Sequence, residues 1–242
     1  MTTLAKIIVA TLISLSLFSC NFDININSGI EGNGQVTIEK RNIDQPFSAI
    51  KATEGLNVYV TQSDNEDISV EADENLQDII ITEVVDNVLK IHTKKNIGKC
   101  TSKKVMVSFK AISNIKATSG SNVKSTNTLV VKHLDIETSS GSNVDLSINT
   151  ANLNCKSSSG SNLKLSGKTI KLTAEASSGS TIKAKDMEAQ SSYAKASSGA
   201  NITVNTSKEL TAKASSGGHI TYLGNPEKVT KNDSVSGSIS AQ

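Results

Sequence analysis

The 242-residue chain contains no tryptophan, only four phenylalanines and three tyrosines, and just two prolines. With aromatic residues at 3% and hydrophobic residues at 36%, a conventional core of aromatic and large aliphatic side chains cannot be built. A strong charge imbalance is also missing, because the formal net charge is +2 and Arg41 is the single arginine. A nucleic-acid-binding protein would present a basic face, so we predict no nucleic-acid partner. The composition favours a regular, β-rich architecture.

Cysteine and histidine are scarce as well, with three of each. The chain has no C-x-x-C motif, and His92, His133 and His219 share no spacing typical of metal ligands, so we predict neither a metal site nor a cofactor. Cys100 and Cys155 could pair in an oxidising compartment. Cys155, however, occupies a position that the repeat described below reserves for a small apolar residue, which favours a buried thiol.

The first twenty residues have the features of a targeting segment. Lys6 precedes a twelve-residue apolar stretch, which is too short to span a bilayer comfortably and ends in Leu17-Phe18-Ser19-Cys20. This ending resembles a bacterial lipobox, although an ordinary signal peptide with a chance cysteine is the alternative. We predict that residues 1–19 are a lipoprotein signal peptide, that lipidated Cys20 anchors the protein in the cell envelope, at the outer membrane, and that residues 20–34 form a flexible tether. The side of the membrane that the protein faces is left open.

A Ser-Gly dipeptide recurs through the second half of the chain, with its glycine at positions 120, 141, 160, 179, 199 and 217. Three residues after each glycine stands an aliphatic residue, and the residues five and three positions before it are apolar or small. A spacing of two is typical of one face of a β-strand, so each glycine marks a corner between two strands. The pattern predicts an all-β fold, a right-handed parallel β-helix (β-solenoid) with coils of about 20 residues stacked about 4.8 Å apart.

Asparagine stands two residues after several of these glycines, as Asn122, Asn143 and Asn162. In stacked coils such residues can form a ladder of side-chain amides. Asparagine is also a favourable turn residue after glycine, and the sequence does not distinguish the two explanations.

The same pattern occurs once earlier, around Gly55, which lies 65 residues before Gly120. The first coil therefore carries a long insertion, which we expect to form a β-rich cap at the end of the solenoid. We predict one domain over residues 35–224, composed of an N-terminal part with this insertion (35–110) and the Ser-Gly repeat coils (111–224). Residues 225–242 form either a polar C-terminal tail or a degenerate last coil.

The chain also contains, ahead of its Ser-Gly-Ser coils, the segments Phe47-Ser48-Ala49-Ile50, Gly55-Leu56-Asn57-Val58-Tyr59-Val60, Val70-Glu71-Ala72-Asp73-Glu74-Asn75-Leu76 and Leu89-Lys90-Ile91-His92-Thr93-Lys94. Together these features resemble the putative auto-transporter adhesin, head GIN domain family, over residues 34–224. Leu56 departs mildly from the isoleucine of that family. The resemblance implies a β-helical fold, a secreted or surface location and a role in adhesion, and it supplies no catalytic residues.

The acidic residues of the repeat coils show no pattern typical of catalysis. Glycoside hydrolysis needs two converging carboxylates, and only Glu137 and Glu175 share a register, two coils or roughly 10 Å apart. We therefore predict no catalytic residues and a non-enzymatic surface-binding or adhesion module. A structural envelope scaffold is the alternative, and a polysaccharide-active enzyme ranks third.

A glycan or protein ligand on the cell surface would need a contact residue on the polar wall of the solenoid. Tyr59, Tyr193 and Tyr222 are the aromatic residues that could stack on a sugar ring. The period places Tyr222 inward and Tyr193 outward, so Tyr193 is the predicted ligand-binding candidate.

Overall fold

The structure is a computed structural model, which describes residues 29–234 and 236–242. The predicted signal peptide, Cys20 and the first part of the tether lie outside the described residues. The described residues are 64% strand and 1% helix, and they form a β-solenoid of about 7 turns with stacked coils of about 19 residues. The predicted β-solenoid with coils of about 20 residues is confirmed.

Seventeen strands and one short 3-10 helix (Glu74–Leu76) make up the described chain. The strands are β1 (Val36–Arg41), β2 (Ala49–Ala52), β3 (Asn57–Gln62), β4 (Asp67–Asp73), β5 (Ile80–Val85), β6 (Val88–Thr93), β7 (Lys103–Phe109), β8 (Asn114–Ala117), β9 (Asn122–Ser125), β10 (Leu129–Thr138), β11 (Asn143–Ser157), β12 (Asn162–Ala176), β13 (Thr181–Ala196), β14 (Asn201–Ala214), β15 (His219–Leu223), β16 (Lys228–Asp233) and β17 (Ser238–Ala241).

Two stacks of parallel strands meet at the Ser-Gly corners. In the first sheet, β6, β2, β8 and the C-terminal parts of β10 to β14 lead into the corners. In the second sheet, β7, β3, β9, the N-terminal parts of β11 to β14 and then β15 lead away from them. The long strands β11, β12 and β13 each run from one corner to the next, which places equivalent residues of successive coils opposite one another.

Each corner is a tight turn in which two consecutive residues have positive φ. At one corner Ser140 has φ 51° and Gly141 has φ 70°, and Ser142 N donates to Ser139 O at 3.2 Å. Positive φ at both central positions is typical of a type I′ turn. The Ser142 hydroxyl is buried, accepts a hydrogen bond from Ser139 N and donates to the carbonyl of Ala117 in the preceding coil at 2.9 Å. The serine after the glycine therefore links this corner to the corner before it.

The solenoid interior is filled by complementary stacks from the two sheets. On the second sheet the buried stack changes from valine to larger residues along the axis: Val58, Val123, Val144, Leu163, Ile182, Ile202 and Ile220. On the first sheet the buried stack becomes smaller in the same direction: Ile50, Ile115, Ile136, Cys155, Ala174, Ala194 and Ala212. Because the interior is narrow and closely packed, a larger residue in one stack requires a smaller residue in the other. The same limit on space explains the scarcity of aromatic residues.

The insertion folds back beneath the first coil and contributes a coil of its own. Strands β6 and β7 pair in parallel with β2 and β3, so the insertion coil lies outside the first coil although it follows it in the chain. Strand β5 adds to β6, β4 adds to β7, and β1 adds to β4, all antiparallel. The predicted β-rich cap is confirmed.

A buried carboxylate fastens the chain that enters the cap. Asp73 accepts hydrogen bonds from the backbone N–H groups of Gly34 and Ser102, both at 2.8 Å, and of Thr101 at 3.0 Å. These bonds, that of Ser102 foremost, hold the pKa of Asp73 below its usual value. The carboxylate thereby joins the start of the described chain to the loop that precedes β7.

Cys100 and Cys155 are both free thiols. Cys155 is fully buried between Ile136 and Ala174, and this burial raises the pKa of its thiol. The buried-thiol interpretation of Cys155 therefore agrees with the structure.

Beyond the last Ser-Gly repeat, the chain adds further strands to both stacks. Strand β16 pairs in parallel with β14, and β17 pairs in parallel with β15. Residues 228–233 and 238–241 thus follow the path of a coil, with mostly exposed side chains.

Candidate ligand-binding groove

Four asparagine side chains form a hydrogen-bonded ladder on the outer face of the second sheet. Asn122 Nδ2 donates to Asn57 Oδ1 at 2.9 Å, Asn143 Nδ2 donates to Asn122 Oδ1 at 3.0 Å, and Asn162 Nδ2 donates to Asn143 Oδ1 at 3.1 Å. Of the two explanations that the sequence left open, the amide ladder is confirmed. Thr181 continues the same row on β13.

A second row of outward side chains runs parallel to the ladder, two residues further along each strand. It consists of Tyr59, Lys124, Asp145, Lys164 and Lys183, each opposite the next on neighbouring strands. Between the two rows lies an open groove with a volume of about 380 Å³. We call it the ladder groove, with the asparagine row and Thr181 on one side and the Tyr59–Lys183 row on the other. It crosses five coils, roughly 19 Å along the solenoid axis.

The charged side of the ladder groove is predominantly basic. Lys164 Nζ lies 3.3 Å from Asp145 Oδ2, and both side chains are about half exposed, so this pair adds little stability. Lys124 and Lys183 form no ion pair within the described part of the chain. Lys164 and Lys183 also stand directly opposite each other on β12 and β13, an arrangement of like charges that is unfavourable by itself.

Beyond Asn57, the cap continues the asparagine row with a lysine that is already paired. Lys104 lies opposite Asn57, and its Nζ bonds to Glu71 Oε1 at 2.8 Å. This hydrogen bond raises the pKa of Lys104, so the lysine is held as a cation by its own partner. Tyr59 is half-buried at this end of the groove, which makes it the aromatic residue that the fold brings to the ladder.

A second groove runs along the first sheet beside the Ser-Gly corners, with a volume of about 490 Å³. Glu137 and Glu175, the two carboxylates that share a register, both line it. Lys156 stands directly between them, and Lys116 Nζ bonds to Glu137 Oε2 at 2.8 Å. Within this groove Lys116, Lys156 and Lys195 alternate with the two glutamates, so the groove does not bring two carboxylates together.

Tyr193, the predicted ligand-binding residue, is half-buried on the outer face of the first sheet. It lies between Thr173 and Thr211 on the neighbouring strands, and Lys213 Nζ lies 5.5 Å from the centre of its ring. Tyr193 is not among the residues that line the two grooves described above. Tyr222 is partly buried against the core, as its inward register predicted.

Two further classes of site are not seen among residues 29–234 and 236–242. No group of three or more histidine, cysteine, aspartate or glutamate side chains is arranged to hold a metal ion in this part of the chain. No helix within the same ranges has the length and apolar character needed to cross a membrane.

An all-β solenoid of stacked coils, with rows of polar side chains on its outer faces, places the chain in the class of repeat-built β-proteins. The sequence of residues 46–226 matches the family described as putative auto-transporter adhesin, head GIN domain, and the chain belongs to this family. Membership of an adhesin-like family indicates a cell-envelope or surface protein. Comparison with curated proteins gives no match.

Solved structures share the fold over most of the chain. A putative adhesin from Bacteroides fragilis is 23% identical, with a TM-score of 0.81 over 88% of this chain and 100% of that one. A putative lipid binding protein from Parabacteroides distasonis is also 23% identical, with a TM-score of 0.73 over 88% and 99%. A putative adhesin from Parabacteroides merdae is 19% identical, with a TM-score of 0.64 over 88% and 98%. At these identities the similarity establishes the fold alone.

Proposed function

We propose that this protein is a non-enzymatic binding module of the adhesin type, held at the outer membrane by a lipid on Cys20. The observation that carries the proposal is the ladder groove, in which an ordered row of amides faces a row of tyrosine, lysine and aspartate side chains across five coils. Such a surface holds a ligand in a fixed register without offering a converging acid–base pair.

Family membership supports the adhesin role, because the family description names adhesins. The paired charges of the first sheet support a non-enzymatic role, since Glu137 is bonded to Lys116 and is separated from Glu175 by Lys156. The lipobox ending at Cys20 supports the anchor. An envelope scaffold without an external ligand is the competing function.

The anchor and the adhesive role are tested together with Cys20→Ala. We expect this variant to leave the membrane fraction, because the thiol that receives the lipid is missing, and we expect the cells to lose adherence to a mucin-coated surface. Membrane fractionation with immunoblotting and counting of bound cells give the two results.

Cys100→Ala is the matched control, which should keep both membrane association and adherence. Retention of the Cys20→Ala protein in the membrane would contradict the lipid anchor. Unchanged adherence by cells that have released the protein would reject the adhesin role and favour the scaffold.

A further inference from the structure

The asparagine ladder presents a fixed set of unused hydrogen-bonding groups to the ladder groove. A side-chain amide has two N–H donors and an oxygen with two lone pairs. In Asn143, one N–H bonds to Asn122 and one lone pair accepts from Asn162, which leaves one donor and one acceptor position for a ligand. This set repeats about every 4.8 Å, and the ladder bonds hold each amide in orientation. Hydroxyl groups, which both donate and accept, are the natural complement.

The opposite side of the groove carries an excess of positive charge that the protein leaves uncompensated. Lys124, Lys164 and Lys183 face the single carboxylate of Asp145, and Lys164 stands directly opposite Lys183. Anionic groups placed between these lysines would relieve their repulsion and form charge-assisted hydrogen bonds. In the groove of the first sheet this excess is smaller, because Lys116, Lys156 and Lys195 alternate with Glu137 and Glu175.

Other extended ligands fit the groove less well. A peptide strand would need free backbone edges, but β3, β9, β11 and β12 are paired on both sides within the sheet. A fatty acyl chain would cover the amide ladder without replacing the hydrogen bonds that its free groups make with water. A chain of sugar rings satisfies the amides with hydroxyls and can pack the C–H face of one ring on Tyr59.

We propose that the ladder groove binds an acidic polysaccharide that lies along the solenoid axis, with its hydroxyls on the asparagine ladder and its carboxylate or sulfate groups at Lys124, Lys164 and Lys183. This inference rests on the proposed function and specifies the ligand of that same surface. The length of the groove accommodates several sugar units in succession, and Tyr59 marks the end at the cap.

The test is a binding titration with the full-length lipidated protein in detergent and three labelled probes: polygalacturonate, chondroitin sulfate and neutral dextran. We expect binding of both acidic polysaccharides and none of dextran. The affinity should fall steeply when salt is raised from about 0.1 M to about 1 M, because the screening length shrinks from about 10 Å to about 3 Å.

Variants locate the binding in the groove. The double change Lys124→Gln and Lys183→Gln should weaken acidic polysaccharide binding about tenfold or more, since two charge-assisted contacts are lost. Its matched control, Lys156→Gln with Lys195→Gln, removes the same charge from the first sheet and should leave the affinity within about twofold. Asn143→Ala should weaken binding, whereas Asn201→Ala, in the same row but beyond the groove, should not.

Three results would overturn the inference: equal losses in both lysine pairs, dextran binding as strong as that of the acidic probes, or binding of none of the three. The proposed function is tested separately by adherence of whole cells. Loss of adherence in Cys20→Ala cells combined with absence of polysaccharide binding would therefore reject this ligand class and retain the adhesin role.

Discussion

Replacing Ile182 by aspartate is expected to abolish cooperative folding of the solenoid at ordinary temperature. Ile182 is fully buried and stacked between Leu163 and Ile202 on the neighbouring coils. An ionised carboxylate at this position would have no partner. The free-energy cost of burying it exceeds the typical total stability of a domain, about 5–15 kcal/mol. Because each coil is stable only against its neighbours, the damage should spread along the stack. Circular dichroism during thermal and urea unfolding measures the effect.

Lys183→Asp is the control for this prediction, because Lys183 is the next residue in the same strand and points outward. It introduces the same side chain without burying it, and its unfolding curve should stay close to that of the native protein. If Ile182→Asp melts like the native protein, the inward register assigned to this strand is wrong.

Replacing Gly167 by alanine is expected to destabilise the solenoid by about 3 kcal/mol or more, because strain and overlap with the backbone combine. Gly167 has φ +112°, and a Cβ atom there would lie 2.2 Å from the carbonyl oxygen of Ile148, its partner on β11. Neither atom of that contact belongs to a flexible side chain, so two coils would have to move apart. Urea unfolding measures the loss of stability.

Gly160→Ala provides the comparison, since Gly160 lies in the corner before the same strand. It has φ +68°, and no atom lies within 4 Å of the Cβ position. Only the left-handed backbone conformation is penalised, by about 1–2 kcal/mol. Equal destabilisation by the two substitutions would show that Gly167 is not held against Ile148.

The register of the coils was predictable because alternation within a strand is a local property. Alternation within the strand is enough to predict that Val144 and Leu163 face inward, and the corner glycine marks the point at which the alternation restarts. The fold of the insertion was less accessible. The pairing of β6 with β2 joins residues about forty positions apart in the sequence. No local sequence pattern indicates that the later coil stacks on the outer side of the earlier one.

The candidate site shows the same division between local and distant information. The sequence predicted Asn122, Asn143 and Asn162 in one row, but asparagine is also a favourable turn residue. The hydrogen-bond distances between the side-chain amides were needed to identify the ladder. Tyr193 is outward as predicted, yet outward orientation does not reveal which neighbours form a groove. Tyr59 could have been found by its position two residues after Asn57, in the register of Lys124.

The corners have a backbone conformation that the amino-acid composition does not predict. The serine before each glycine also has positive φ, as at Ser159 and Ser178, a conformation that costs energy for an L-residue. The hydrogen bond from each corner glycine to the next corner, such as that from Gly160 N to Ser178 O at 3.1 Å, helps to offset this cost. Repetition of the Ser-Gly pair therefore reflects contacts between coils as much as the turn itself.

The central claim is the proposed adhesin role, which requires the solenoid wall to face the outside of the cell. Protease treatment of intact cells tests this requirement most directly. The protein is followed by antibody, with a known periplasmic protein as the control for leakage. The account predicts that protease cuts this protein while the control stays intact. Protection of both proteins would contradict the account and would make the solenoid a periplasmic scaffold.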